Sequence, residues 1–448
     1  MESIWSRSVS IPRRECLKGD ITADTAVVGA GMAGVLTAYL LEKSGIHTVV
    51  LEADRIAGGQ TKNTTAKITS QHGMIYRKLT RQYGEESARL YARAQEQAIL
   101  EYEKLARENK IDCHFERLPA YLYSLWDKQA LLDEAQACAR LGLPACFVEE
   151  TSLPMRTVGA VCFERQAQFH PLEFIKAISA DLTIYEKTKV LSVKGTRIIT
   201  DKGTVSAKNV VFTAHYPFLN IPGFYFARQH QERSYVIAYE KAGDLGGMYY
   251  SIDRDGLSFR NFENLLLVGG GAHRTGKIKP GGQYLSVKRK AENLFPQAKE
   301  VARWSAQDCM THDGLPFIGR YSAFYPNWYV ATGFKKWGMT TSMVAAMLLR
   351  DLICGVENPH RKLFSPQRVH PLASAGAWAV DMGESAMGLT KGVIYGLDRK
   401  ESTHRCRHLG CGLSWNEDEQ TWDCPCHGSR YTRDGKLLDG PAQTNLRK

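Results

Sequence analysis

Four residues near the carboxyl end of the chain have the types and spacing of metal ligands. Cys406 and His408 form a Cys-x-His pair, and Cys424 and His427 form a Cys-x-x-His pair after an interval of fifteen residues. Two thiolates and two imidazoles suit a [2Fe-2S] cluster in which one iron binds both cysteines and the other binds both histidines. A structural zinc ion uses the same types of ligand. The spacing therefore predicts a metal centre of one of these two kinds.

The residues around these ligands favour the iron-sulfur cluster. The two loops read CRHLGC over 406–411 and CPCHGSRY over 424–431, and both resemble the cluster loops of Rieske domains. The resemblance implies that the four ligands hold a [2Fe-2S] cluster in an all-β domain. It also implies a disulfide between Cys411 and Cys426 that clamps the two loops together.

A glycine-rich motif near the amino end is typical of dinucleotide binding. Residues 24–52 have the pattern of a strand, a Gly-x-Gly-x-x-Gly turn, a helix and a second strand that ends in an acidic residue. The first glycine makes the tight turn, the second lets the backbone approach a pyrophosphate, and the third lets helix and strand pack closely. The acidic residue is placed to bind the ribose hydroxyls. The predicted cofactor contacts are Gly29, Gly31, Met32, Ala33, Gly34 and Glu52.

The segment after this motif indicates FAD as the cofactor. It reads ADRIAGGQTKNTTAKITSQHG and resembles a loop of the D-amino-acid-oxidase-like flavoproteins, the glycine and sarcosine oxidase type, that returns under the flavin. The segments TKV at 188–190 and ATGFKKWGMT at 331–340 match further cofactor contacts of that family. The helix after the second segment would direct its N-terminus at the flavin, where it stabilises negative charge. The FAD contacts that the resemblance implies are Gly59, Thr61, Thr64, Thr65, Lys67, Val190, Gly333, Gly338, Met339 and Thr340.

A second glycine-rich segment, GGGAHRTG over 269–276, lacks the rest of a dinucleotide motif. Arg274 stands where the third glycine is needed, and no apolar helix follows. We therefore expect no NAD(P) site in this chain.

Length and composition predict several globular domains. The chain has 448 residues, of which 44% are hydrophobic and 23% charged, so it can bury substantial cores. The predicted fold class is an α/β Rossmann-type FAD-binding domain with a mixed-sheet α+β substrate domain, followed by the all-β Rieske domain. The FAD-dependent module is expected over 1–356, a linker over 357–375 and the Rieske domain over 376–448. Within the module, the expected FAD-binding parts are 20–80, 165–220 and 305–356, and the expected substrate domain is 81–164 with 221–304.

The amino-terminal sequence and the net charge bear on location and partners. No apolar run of signal-peptide length begins the chain, so we expect a cytoplasmic protein. The apolar stretch 339–355 contains Arg350 and Asp351 and is short for a membrane span, so we interpret it as a buried helix. The formal net charge of +11 permits an acidic partner such as an electron carrier or a nucleic acid. A solvated basic surface explains the same charge, because no long block of like charges occurs.

A flavin and a Rieske cluster together predict exchange between a two-electron organic couple and a one-electron carrier. The flavoprotein resemblance implies hydride removal from a carbon that bears an amine, on a small amine or amino acid. The electrons would pass singly through the cluster to a carrier protein or a quinone-type acceptor. Ser429 and Tyr431 favour this direction, because they match hydroxyl groups that raise the potential of respiratory Rieske clusters. Lys67, His72 and His273 are the candidate catalytic residues, as proton acceptors or as a charge beside the flavin.

Other functions remain open at this point. A reductase would run in the opposite direction, with electrons from ferredoxin or NAD(P)H. A similar FAD module serves in tRNA wobble-uridine maturation, so the basic charge also allows a tRNA-modifying enzyme. A Rieske oxygenase would need a mononuclear iron held by two histidines and a carboxylate, and no compact motif of that kind stands out.

Overall fold

The computed structural model describes residues 2–277, 281–397 and 404–447. Its strands are β1 (Ile21–Val28), β2 (Thr48–Leu51), β3 (Lys67–Ile68), β4 (Glu116–Ser124), β5 (Ala145–Val148), β6 (Gly159–Gln168), β7 (Thr183–Tyr185), β8 (Val190–Lys194), β9 (Arg197–Thr200), β10 (Thr204–Phe212), β11 (Gln229–Glu240), β12 (Met248–Ser251), β13 (Ser258–Phe262), β14 (Leu265–Arg274), β15 (Lys299–Thr311), β16 (Phe317–Ser322), β17 (Tyr325–Thr332), β18 (Ser414–Asn416), β19 (Thr421–Asp423), β20 (Arg430–Thr432) and β21 (Leu437–Asp439). Its α-helices are α1 (Ile4–Ser8), α2 (Met32–Lys43), α3 (Tyr76–Tyr83), α4 (Glu85–Glu108), α5 (Lys128–Leu141), α6 (Pro171–Ile178), α7 (Gln283–Leu294), α8 (Gly338–Cys354), α9 (Arg361–Phe364) and α10 (Pro371–Leu397).

The first sheet carries the glycine motif. It has eight strands, six of them in the order β16-β17-β10-β1-β2-β7, with the β8–β9 hairpin attached to β10. β1 pairs in parallel with both β2 and β10, so the two halves of the predicted dinucleotide motif are neighbours. The last four residues of β1 and all of β2 are buried, as expected for parallel strands covered on both faces. α2 packs against α8 beside this sheet, which confirms the α/β FAD-binding fold.

The second sheet is mixed, as the sequence predicts. Eight of its nine strands follow the order β15-β11-β14-β13-β12-β4-β6-β3, and β5 pairs with β6. Most neighbours are antiparallel, whereas β12 and β4 are parallel. β11 is twelve residues long and pairs with β14 on one side and β15 on the other. This sheet therefore presents a broad surface toward the glycine motif.

The carboxyl-terminal strands form the small antiparallel sheet expected of the Rieske domain. Four short strands follow the order β18-β19-β20-β21. The cysteine loops precede β18 and connect β19 to β20. A small core of Leu413, Tyr431 and Ala442 holds these strands together with the cysteines.

A long helix crosses the predicted boundary between the linker and the Rieske domain. The sequence predicts a linker over 357–375 and an all-β Rieske domain from 376. The structure instead has α9 within that linker, and α10 occupies residues 371–397. Five glycines interrupt the apolar pattern of α10 and hide its helical period. The domain limits stay a prediction, although the segment 376–397 is helical and not β.

No α-helix within residues 2–277, 281–397 and 404–447 combines the length and the apolar character needed to cross a bilayer. The apolar helix α8 is instead buried against α2 and α4.

Candidate active site and metal centre

A cavity of about 580 Å³ lies where residues of all three sheets meet. Its lining includes the carboxyl ends of β1 and β2, which is where open α/β sheets bind ligands. Strands β11 and β15 line another side, and β21 of the small sheet lines a third. All predicted cofactor contacts except Gly34 and Thr340 line this cavity. The lining contacts are Gly29, Gly31, Met32, Ala33, Glu52, Gly59, Thr61, Thr64, Thr65, Lys67, Val190, Gly333, Gly338 and Met339.

The glycine loop is packed on one side and open on the other. A Cβ atom at Gly34 would lie 1.9 Å from the carbonyl oxygen of Gly29, so only glycine lets α2 pack on the loop. Gly29 itself has a φ of 107°, a conformation that side chains rarely adopt. At Gly59 and Gly338 a Cβ atom would meet no described heavy atom within 4 Å, because both residues face the cavity. The cradle therefore fits a dinucleotide.

Two helix N-termini face the same cavity. α2 begins at Met32 and α8 at Gly338, and the first turns of both helices line the cavity. First-turn N–H groups carry partial positive charge and bind anionic groups such as a pyrophosphate or a reduced flavin. The N–H of Met32 is held by the hydroxyl of Thr61 at 3.0 Å, which ties the threonine-rich loop to α2.

Glu52 lies at the end of β2 beside the glycine loop. Its carboxylate accepts hydrogen bonds from the backbone N–H groups of Ala30 and Asp54, each at 2.8 Å. Burial raises the pKa of Glu52, and these two hydrogen bonds oppose that shift. The bonds fix the carboxylate in the cavity wall, the position that the sequence predicts for a ribose contact.

Lys67 is the predicted catalytic residue that lines the cavity. Its Nζ donates to the carbonyl oxygen of Tyr249 at 2.9 Å. Burial lowers the pKa of Lys67 to about 7, and the nearby Arg260 guanidinium adds to the shift. The side chain can therefore change its protonation state near neutral pH.

His72, a predicted proton acceptor or charge beside the flavin, lies outside the cavity lining. Its Nδ1 lies 2.6 Å from the hydroxyl of Tyr91, and its Nε2 lies 2.7 Å from the carbonyl oxygen of Thr69 and 3.1 Å from the hydroxyl of Thr340. Its ring stacks on Trp337. Burial lowers the pKa of His72 to about 3. His72 and Thr340 therefore support the cavity wall from behind Trp337.

His273 also lies outside the cavity lining. Its Nδ1 bonds the carbonyl oxygen of Gly271 at 3.0 Å, and its ring stacks on Tyr235. Burial lowers the pKa of His273. The cavity lining includes its neighbour Ala272 and its stacking partner Tyr235, but not His273 itself.

Sequence reasoning missed a group of charged residues at the cavity. Asp308 of β15 lines the cavity together with Lys335 and Lys336. The Nζ of Lys336 lies 3.4 Å from Glu232 and 3.6 Å from Asp308 and, among the described residues, has no hydrogen-bond partner. Burial lowers the pKa of Lys336, but the two carboxylates outweigh burial and raise it. Lys335 and Lys336 stand inside the segment 331–340 that resembles a cofactor-binding loop, whereas Asp308 had no local signal.

The four predicted metal ligands lie on two adjacent loops of the small sheet. Cys406 and Cys424 are buried free thiols. The Nδ1 atoms of His408 and His427 are buried and, within the described part of the chain, have no hydrogen-bond partner. Orphaned buried nitrogens of this kind are uncommon, and iron would satisfy both. The donor set of two thiols and two open imidazole nitrogens therefore fits a [2Fe-2S] cluster.

The residues next to the ligands also match the Rieske resemblance. The structure pairs Cys411 with Cys426 as a disulfide, and Sγ of Cys424 lies within 4.8 Å of both its sulfur atoms. The hydroxyl of Tyr431 lies 3.7 Å from Sγ of Cys406. The hydroxyl of Ser429 accepts the backbone N–H of Ala442 at 3.1 Å, which leaves its own proton available.

The small domain docks on the strands that line the cavity. Gln231 of β11 donates to the carbonyl oxygen of His427 at 2.8 Å, and Gln307 of β15 donates to that of Gly428 at 2.9 Å. The residues on either side of Gln307, Ala306 and Asp308, line the cavity. Successive side chains of a strand point to opposite faces. β11 and β15 therefore lie between the cavity and the cluster loop.

Two protein-family models match this chain. The model of FAD dependent oxidoreductases, DAO, matches residues 24–352. The chain belongs to the DAO family of FAD dependent oxidoreductases. The model of the Rieske [2Fe-2S] domain matches residues 399–448 of this DAO-family chain. Its cofactors are accordingly FAD and a [2Fe-2S] cluster, and it is an enzyme of the oxidoreductase class.

The DAO-family chain is similar to two curated proteins and to a solved structure. A putative Rieske 2Fe-2S iron-sulfur protein, YhfW of Bacillus subtilis, is 35% identical over 494 aligned residues that cover 100% of this chain and 97% of the relative. Gamma-glutamylputrescine oxidoreductase of Escherichia coli is 26% identical over 76% of this chain and 86% of its own length. The crystal structure of glycine oxidase from Geobacillus kaustophilus superposes with a TM-score of 0.66 at 19% identity, covering 78% of this chain and 99% of the oxidase. The similarity to glycine oxidase shows that the two proteins share a fold.

Proposed function

We propose that this chain is a dehydrogenase that removes a hydride from the C–N bond of an amine or amino acid and passes the electrons singly through its Rieske cluster to an external acceptor. The main observation that supports this proposal is the arrangement of two adjacent residues of β15. Asp308 lines the cavity, while the adjacent Gln307 bonds the loop of cluster ligand His427 through Gly428. A single strand layer thus connects the two cofactor sites, which is a short route for electrons.

The residues of the cavity suit amine oxidation. When bound, the flavin accepts two electrons as a hydride and can release them one at a time. The first turn of α8, at Gly338 and Met339, faces the cavity and would stabilise the negative charge of the reduced state. Neutral Lys67 would take a proton from a substrate ammonium, so that the nitrogen lone pair is free when the hydride leaves. The cavity also holds charges of both signs, Asp308 for an ammonium and Lys335 for an anionic group.

Two relatives support this class of substrate by their names. One is an oxidoreductase of gamma-glutamylputrescine and the other an oxidase of glycine. Both names describe a compound with a C–N bond. The charged group of Asp308, Lys335 and Lys336 in this chain would select its own substrate within that class.

The proposed direction of electron flow is from the flavin to the cluster. The hydroxyl of Tyr431 beside Cys406 is the kind of contact that raises the potential of a cluster. The glycine-rich segment 269–274 is the end of β14 and not a turn into a helix, so it does not have the form of a dinucleotide loop for a nicotinamide-linked reductase. A one-electron carrier protein or a quinone-type molecule would then reoxidise the cluster.

An anaerobic titration tests the proposal. The purified protein with both cofactors is mixed with amines, amino acids, NADH and NADPH while flavin bleaching is followed. Bleaching by an amine or amino acid, with a cluster potential above that of the flavin, is expected. Bleaching by a nicotinamide alone, or a cluster potential well below the flavin, would make the protein a reductase and end the proposal.

A further inference from the structure

The edge of the small domain that carries the cluster histidines faces the FAD module. Nε2 of His408 lies 2.6 Å from Oδ1 of Asn220, which belongs to the module. The ring of Phe226 packs edge-on against both His408 and His427, with centroids 6.3 Å and 5.9 Å away. The side chain of His427 is 4% exposed. The edge that carries His408 and His427 is therefore in contact with the FAD module of the same chain.

The hydrogen bond to Asn220 fits the predicted ligation of His408. Nδ1 of His408 is the buried nitrogen with no described partner, so it is the atom available to iron. An imidazole that binds a metal through Nδ1 carries its proton on Nε2. That N–H can only donate, and the Oδ1 of Asn220 can only accept. The side-chain amide is thus matched to a metal-bound histidine.

The segment before Asn220 leads back to the cavity. Tyr216 and Phe218 line the cavity. The hydroxyl of Tyr216 donates to the carbonyl oxygen of Gln229 at 3.2 Å, which anchors the segment on β11. Two residues after Phe218, the chain reaches the ligand histidine through Asn220. Five consecutive residues, 216–220, therefore extend from the cavity wall to a cluster ligand.

We propose that Asn220 is the positioning residue for electron transfer between the flavin and the cluster. Its hydrogen bond fixes the ring of His408 against the FAD module and, together with the edge-on contact of Phe226, joins the ligand histidine to the segment that lines the cavity. This inference rests on the proposed exchange of electrons between flavin and cluster, but on neither its direction nor its substrate. The same contact occupies Nε2 of His408, so an external acceptor must approach the docked domain elsewhere.

Substitution at Asn220 tests the inference without any substrate. Asn220→Leu keeps the size of the side chain and removes the acceptor, whereas Asn220→Asp keeps the acceptor. Other hydrogen bonds hold the backbone of the segment. The N–H of Phe224 donates to the carbonyl oxygen of Asn220, and the hydroxyl of Tyr321 donates to the carbonyl oxygen of Leu219. Asp418→Ala is the matched control, because Asp418 joins the same two domains by accepting from the N–H groups of 282 and 283 and contacts no cluster ligand.

The measurement is laser-flash photoreduction of the anaerobic protein with both cofactors, followed at flavin and cluster wavelengths. Asn220→Leu is expected to slow transfer between the cofactors by about tenfold, because a contact in the electron path is displaced. Its cluster EPR spectrum should shift as well, since the bond on a ligand histidine is lost. Asn220→Asp and Asp418→Ala should transfer at nearly the wild-type rate.

The possible failures are distinguishable. A wild-type rate and spectrum in Asn220→Leu would overturn the inference while leaving the proposed function intact. Wild-type protein in which the cofactors exchange no electrons would overturn both. If Asn220→Leu fails to retain its cofactors, Asn220→Ser, which shortens the side chain past hydrogen-bond reach, replaces it with the same expected results.

Discussion

Arg274 and Asp381 form a partly buried ion pair between the end of β14 and the linker helix α10. Arg274 also donates from Nε to the carbonyl oxygen of Pro425 at 2.9 Å and from Nη2 to that of Cys426 at 3.1 Å. Both carbonyls belong to the loop between the ligands Cys424 and His427. The linker helix therefore holds the cluster loop through one guanidinium.

Two histidines complete the surroundings of Asp381. His230 and His312 both approach its Oδ2, and the three ligand atoms lie within 4.8 Å of one another. Two imidazoles and a carboxylate are also the donors of mononuclear iron sites. Arg274 already occupies the other carboxylate oxygen, and its positive charge repels a second cation there. We therefore interpret this group as an ionic anchor of α10 and not as an oxygenase iron site.

Arg274→Ala should destabilise the protein by about 3 kcal/mol, because it removes one cationic partner of Asp381 and two charge-assisted hydrogen bonds to the carbonyl oxygens of Pro425 and Cys426. Urea unfolding, followed by cluster absorbance, measures the effect. Arg89→Ala is the matched control, since Arg89 pairs with Glu85 on an exposed helix face, and it should stay within about 0.5 kcal/mol of wild type. Equal effects of the two substitutions would show that Arg274 is not an anchor.

The anchor should weaken as the pH rises. Burial lowers the pKa of His230, but its hydrogen bonds to Asp381 and Glu232 outweigh burial and raise it. A histidine with a raised folded pKa stabilises fully below its unfolded pKa, about 6.5, and loses that contribution as the pH passes its folded pKa. Unfolding midpoints measured from pH 6 to pH 9 should fall in wild type and fall less in His230→Gln. Parallel curves for the two proteins would contradict this account.

Flavin reduction by substrate should accelerate as the pH rises through about 7. The burial-lowered pKa of Lys67 is about 7, and only the neutral amine can accept a proton. Anaerobic stopped-flow traces at a series of pH values give the rate, and Lys67→Met should be slower with no inflection near 7. A rate that declines above pH 7 in wild type would instead make Lys67 a positive charge beside the flavin.

Gly34→Ala should lose FAD. Its Cβ atom would lie 1.9 Å from the carbonyl oxygen of Gly29, so α2 must move away from the pyrophosphate cradle. Flavin content per chain after purification measures the loss. Gly376→Ala on α10 is the control, because its Cβ would meet no described heavy atom within 4 Å, and it should keep its flavin. Retention of full FAD by Gly34→Ala would refute the assigned role of the glycine loop.

The cofactor sites were predictable from the sequence because their residues are contiguous. Strand, glycine turn and helix follow one another directly, and the ligands of the cluster occupy two short loops. Backbone geometry then brings Glu52 and Gly29 to one end of the sheet, as parallel pairing of β1 with β2 requires. Local pattern and global fold agree at these sites.

The residues between the two cofactor sites were not predictable in this way. Asp308, Arg274 and Asp381 come from two strands of one sheet and from α10, and only tertiary packing places them near the cluster or the cavity. His72 and His273 were candidate groups near the substrate, yet neither lines the cavity: His72 is bonded to Tyr91 and Thr69, and His273 to the carbonyl oxygen of Gly271. The helix α10 was not predicted, because glycines interrupt its apolar pattern. Its anchoring role therefore had no sequence signal either.

The most direct test of the central claim is an anaerobic mixing experiment with a substrate that bleaches the flavin. Wild-type protein and Cys424→Ser, which lacks a cluster ligand, are each mixed with it and frozen at intervals for EPR. We expect the flavin to bleach in both proteins, and the signal of a reduced [2Fe-2S] cluster to grow in wild type alone, in step with partial flavin reoxidation. A wild-type cluster that stays oxidised while the flavin remains reduced would contradict electron transfer from flavin to cluster.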